Sequence, residues 1–137
     1  MSRVKVRAAL ESAVNAFATA NSLQVLWENR GAIPTVSYLR TQLFPGATQD
    51  PSIGAKHKRY VGILRMTLAI KDLDNGPLKV EQLSGLLCDA FPRGKVFTKD
   101  DITVSIDSTP NESSINIDST FVCISVDAIY RCDVLTN

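Results

Sequence analysis

The sequence is poor in the residues from which catalytic and metal centres are built. It holds one histidine and three cysteines in 137 residues, and no two cysteines form a C-x-x-C pair. A Ser-His-Asp or Cys-His arrangement would depend wholly on His57, which stands between Lys56 and Lys58. Two flanking cations mark an exposed position better than a catalytic base. One histidine and scattered cysteines also leave too few ligands for a tetrahedral zinc site. Neither G-x-x-x-x-G-K-[ST] nor G-x-G-x-x-G occurs, so the usual phosphate-cradling loops are missing. Asp72-Leu73-Asp74-Asn75-Gly76 begins like a calcium loop, but the glycine comes one position early, Pro77 follows, and Leu83 stands where a bidentate Glu is needed. The expectation is a protein with no catalytic residue, cofactor or resident metal.

Other absences bound the class. No apolar run approaches the roughly 20 residues that cross a bilayer, and the first residues, Met1-Ser2-Arg3-Val4-Lys5, lack the apolar centre of a signal peptide. Cys88, Cys123 and Cys132 are odd in number and scattered, which suits a reducing compartment. These features predict a soluble, cytoplasmic protein without a membrane partner. A net charge of +1 supplies no global field toward nucleic acid. With 45% hydrophobic residues and only 7 Gly and 6 Pro, the chain is neither disordered nor collagenous.

What the chain does have is alternating periodicity. Val6, Leu10, Ala13, Val14 and Phe17 recur at helical spacing, predicting a helix over about residues 3–20. Leu23, Val25 and Trp27 alternate with polar residues as a short strand, and Glu28 to Pro34 is a connector. Thr35 to Phe44 reads as a second strand. Pro45 to Gly54 contains two prolines and two glycines and predicts an exposed loop or arm. Tyr60, Gly62, Leu64, Met66, Leu68 and Ile70 then share one parity, with Arg59, Arg65, Thr67 and Lys71 on the other, as in a long half-buried strand.

Pro77 sits at a first helical position. Val80, Leu83, Leu87, Ala90 and Phe91 give that second helix its apolar stripe, and Pro92-Arg93-Gly94 ends it. Ile102, Val104 and Ile106 form a further strand, followed by a polar hairpin-like segment near Thr109 to Ser114. The last strand carries Val122, Ile124, Val126, Ala128 and Tyr130 inward and Ser125, Asp127 and Arg131 outward. Residues 1–137 therefore predict a single α+β domain. Its sheet is mainly antiparallel and twisted, with two helices on one face and a long protruding loop. The run Lys56-His57-Lys58-Arg59 is the one local concentration of positive charge.

From Trp27 onward the order of short motifs resembles the phage tail terminator family, typified by the minor tail protein U of lambda-like siphophages. The motifs are Trp27-Glu28-Asn29, Pro34, Tyr38-Leu39-Arg40, Leu43-Phe44-Pro45-Gly46, Ser52-Ile53-Gly54 and Arg59-Tyr60-Val61-Gly62. Phe91-Pro92-Arg93-Gly94 follows the second helix, and Tyr130-Arg131 closes the last strand. The resemblance implies a structural virion protein that assembles in the host cytoplasm and ends in the virion tail. It implies a homohexameric ring, with a monomer before assembly also compatible, whose partners are the major tail tube protein and the head-side connector protein.

On that footing Arg40, Pro45, Gly46, Lys56, His57, Lys58 and Arg59 are the candidate partner-interface residues, with Pro45 to Lys58 reaching a neighbour or the tube. A head-tail completion protein of the neck is the alternative within the same setting. A small-molecule binding domain is the alternative from another class. It would need convergent polar residues on the buried strand parity, where Leu64, Met66, Leu68, Val104, Ile124 and Val126 stand instead.

Overall fold

A computed structural model describes residues 2–28, 36–51, 57–71, 75–118 and 120–135. The first helix, α1 (Ser2–Ala20), turns Val6, Leu10, Val14 and Phe17 into the core. It stops in a backbone motif that satisfies its last carbonyls: Leu23 N–H donates to Ala18 O at 2.9 Å and Ser22 N–H to Thr19 O at 3.4 Å. Ser22 takes the left-handed conformation (φ 57°) that this ending requires.

The chain continues through β1 (Gln24–Leu26), β2 (Tyr38–Pro45) and the 14-residue β3 (His57–Ile70). The second helix, α2 (Gly76–Ala90), carries Pro77 in its first turn. Then come β4 (Val96–Lys99), β5 (Ile102–Ile106), β6 (Asn111–Glu112), β7 (Asn116–Asp118) and the 15-residue β8 (Phe121–Leu135). The sheet order is β1-β2-β3-β8-β5-β4, with β6 and β7 also paired to β8. All pairings are antiparallel except β1 with β2, which run parallel. The α+β class and the mainly antiparallel sheet are therefore as expected, and the sheet is curled.

One parity builds the core. Leu64, Met66 and Leu68 of β3 stand beside Ala128, Val126 and Ile124 of β8, and all are buried. Both helices feed the same cluster, through Leu10 and Val14 of α1 and Val80 and Leu87 of α2. Burying each such side chain stabilises the fold by about 1.5–3 kcal/mol, so this single layer of contacts fixes which face the helices cover. Gly62 is on the same parity because nothing larger fits. A Cβ there would lie 2.5 Å from the Tyr130 hydroxyl and 2.8 Å from Phe44 O.

Four boundaries differ from the sequence reading. The second strand starts at Tyr38, because its pairing with β3 begins opposite Ala69; Thr35 and the connector from Asn29 lie outside the described residues. Pro45 belongs to β2, and Gly46 to Gln49, exposed as expected, are hydrogen-bonded back to β3. Gly46 N–H donates to Val61 O at 2.8 Å, and Gln49 exchanges backbone hydrogen bonds with Arg59 at 2.8 and 2.9 Å. Residues 52–56 of the expected arm lie outside the described residues. Val96–Lys99, assigned to no element from the sequence, is an edge strand hairpinned to β5, with Asp100 (φ 58°) turning the corner. The polar segment near Thr109 to Ser114 contributes β6, which pairs with β8 rather than closing a hairpin on itself.

Candidate assembly interface

The helices leave the other face of the sheet uncovered among the described residues. Its side chains follow from the register as successive rows across β2, β3 and β8. At one end Tyr38 and Phe121 meet edge to face, with ring centroids 5.3 Å apart. Next, Thr67 and Ser125 share a hydroxyl hydrogen bond of 3.0 Å. Arg65 then grips Asp127 through two hydrogen bonds of 2.8 and 2.9 Å. Beyond them lies an apolar row, Phe44–Ile63–Ile129, aligned residue for residue. These three are 44%, 36% and 39% exposed. The Arg65 guanidinium sits 5.2 Å above the Phe44 ring, tying the charged row to the apolar one.

A charge cluster occupies the far end. Asp133 of β8 accepts hydrogen bonds at 2.8 Å from both His57 Nε2 and Arg59 Nε of β3. Arg131 reaches Asp133 at 3.4 Å and Asp107 at 3.7 Å. Its buried Nε nevertheless lacks hydrogen-bond geometry, so the Arg131–Asp133 contact is an ion pair only. Burial pushes the Asp133 carboxyl up, but the bonds from Arg59 and His57 and the charges of Arg59 and Arg131 outweigh it and hold its pKa below the usual value.

The described candidate residues from the sequence fall in separate parts of the sheet. His57, Lys58 and Arg59 open β3, whereas Arg40 pairs with Thr67, eight residues further along the strand. At about 3.3 Å per residue that places Arg40 roughly 25 Å away. Arg40 is exposed on the uncovered face and makes no ion pair among the described residues. Arg59, expected to reach another molecule, is engaged within its own chain by Asp133. Pro45 and Gly46 lie against Gly62 and Val61, and Lys58 is exposed opposite Val134. Lys56 lies outside the described residues.

The sequence reading missed the Phe44–Ile63–Ile129 row and Asp133. A signal existed for the row, since Ile63 and Ile129 occupy the wet parity of their strands between Arg65, Asp127 and Arg131. An apolar residue on a polar parity is the pattern to look for.

The remaining chemistry is quiet. Burial, with Glu112 beside it, pushes the Cys88 thiol up to about 12, and burial raises Cys123 and Cys132 as well. All three are therefore poor nucleophiles at neutral pH. A cavity of about 280 Å³ opens at the start of α1 between Arg3, Arg7, Tyr60 and Tyr130. Among the described residues no three metal-ligating side chains converge, and no helix is long and apolar enough to cross a membrane.

Fold and surface together describe a two-layer α+β protein whose most prominent exposed features are suited to protein contact. A family model described as phage tail terminator protein matches residues 5–130. The chain belongs to that family, which makes it a structural component of the phage tail and points away from an enzyme. None of the curated proteins compared with the chain matches it. Among solved structures, one chain superposes with a TM-score of 0.79 at 23% identity, over 96% of this chain and 96% of its own length, and so shares the fold.

Proposed function

We propose that this chain ends tail growth by capping the polymerised tail tube as a ring, six-membered in keeping with the family resemblance, and presents its other rim to the head-side connector. The observation that carries this reading is the uncovered sheet face with its aligned Phe44–Ile63–Ile129 row, in a chain whose family match spans residues 5–130. An apolar row of this kind, flanked by ion pairs, suits a protein–protein contact. The His57–Arg59–Asp133 cluster at one end of the face and Arg40 toward the other supply polar groups that set register and partner choice.

Binding experiments separate the tube-capping role from a neck-completion role. Purified protein should co-sediment with tail tubes made without a terminator, binding at tube ends. Binding only to connector-bearing capsids, with none to tubes, contradicts the reading and favours the completion protein.

A further inference from the structure

We propose that copies of this chain associate head to tail, with the outer stripe of α2 of one copy seated on the Phe44–Ile63–Ile129 row of the next. This deepens the ring reading and depends on it only for closure of the ring. Leu78, Glu81, Gln82, Gly85, Leu86 and Asp89 fall at i, i+3, i+4, i+7, i+8 and i+11 of α2. They line the side of the helix opposite its buried Val80, Ser84 and Leu87. Leu78 is 60% exposed and Leu86 51%. Among the described residues neither leucine is buried, although Leu86 also borders a shallow groove with Leu23 and Ile70.

Gly85 adds an independent observation. A Cβ built on it meets nothing within 4 Å, so no packing among the described residues calls for a glycine. Glycine is the poorest helix former after proline, yet it stands in the middle of this helix. A glycine between Leu78 and Leu86 lets another backbone or a bulky side chain approach the helix closely.

The occupant is a second copy because the two patches complement each other. One is a convex helix stripe and the other an open sheet face, and a helix laid on a sheet is the packing that builds the subunit's own core. They lie on opposite layers, so joining them makes a heterologous contact, the kind that a cyclic ring requires. Charge agrees: Arg40 on the sheet face has no ion-pair partner among the described residues, and neither have the exposed Glu81 and Asp89 on the helix stripe. A cation thus meets carboxylates across the contact.

Photo-crosslinking of the full chain tests this, with p-benzoylphenylalanine in place of Phe44 and adducts mapped by mass spectrometry. Intermolecular adducts should fall within residues 78–89. Ile63→Asp and Leu86→Asp, each confirmed folded by circular dichroism, should each lower adduct yield about tenfold or more. The crosslinker is then placed only in a Leu86→Asp copy, and an Ile63→Asp copy is added in equal amount. That mixture should recover the yield, because one intact interface forms between the two. Adducts elsewhere, no intermolecular adduct, an inert Leu86→Asp, or no recovery on mixing overturns the proposal. Tube capping by the wild-type protein is scored separately. Capping with adducts elsewhere sinks this interface alone, and failure to cap sinks the reading above it.

Discussion

Arg65 and Asp127 stand directly opposite each other on β3 and β8, joined by two hydrogen bonds of 2.8 and 2.9 Å on the face that neither α1 nor α2 covers. The pair neutralises two charges beside the Phe44–Ile63–Ile129 row and keeps the guanidinium over the Phe44 ring, 5.2 Å from its centre. Both side chains keep substantial water contact, so screening limits what the pair is worth. A double-mutant cycle with Arg65→Ala and Asp127→Ala, read by urea denaturation, should give a coupling of at most about 1 kcal/mol. Arg65→Lys should not restore it, because an ammonium cannot reproduce the forked geometry.

Gly62 predicts a larger effect from a smaller change. Gly62→Ala places a methyl group into the Tyr130 ring and the Phe44 carbonyl. Overpacking of this kind should cost about 1–3 kcal/mol in chemical denaturation. Gly85→Ala meets open space and should stabilise the isolated subunit by about 0.5–1 kcal/mol. The opposite signs of two identical substitutions are the check.

Much of this was legible beforehand. The parity of Leu64, Met66 and Leu68 against Arg65 and Thr67 identified the buried face of β3, and the spacing of Val80, Leu87 and Phe91 identified that of α2. The candidate interface was less legible, for a physical reason. Arg59 looked available because its partner, Asp133, is 74 residues away in the chain and meets it only through the β3–β8 register. The parallel pairing of β1 was hidden likewise, since a three-residue strand carries no local mark of its neighbour's direction. Val96–Lys99 was passed over because an exposed edge strand buries too little to show alternation.

Glu28 and Asp133 contribute to the acid limit of stability. The Leu43 amide holds Glu28 below its ordinary pKa against the upward pull of burial, with Arg7 helping, and the Arg59 and His57 contacts do the same for Asp133. A carboxyl depressed in the folded state contributes stability that is fully present above its unfolded pKa and lost as pH falls through its folded one. Unfolded values near 3.9 for Asp and 4.3 for Glu put the onset of that loss at about pH 5 and most of it below about pH 4. Thermal melts should therefore show stability from these two carboxyls unchanged from neutral pH to about pH 5, then falling. Asp133→Asn should flatten the acid limb.

Glu28 also guards a sheet edge. β1 pairs with β2 only as far as Arg40, and beyond it the Leu43 N–H donates to the Glu28 carboxylate at 3.1 Å instead of to a strand. Arg7 Nη1 donates to the same Glu28 oxygen, Oε2, at 3.1 Å. Glu28→Ala should lower stability by about 1 kcal/mol and expose an edge that recruits other strands. Light scattering on warming should rise earlier in the variant than in the wild type.

The central claim, that this chain stops tail growth, is tested most directly by adding it to polymerising major tail tube protein and measuring tube lengths by electron microscopy. Wild-type protein should arrest elongation and leave tube ends carrying ring-shaped density, while Ile63→Asp should leave tubes growing. Unchanged tube lengths at saturating wild-type protein would contradict the account.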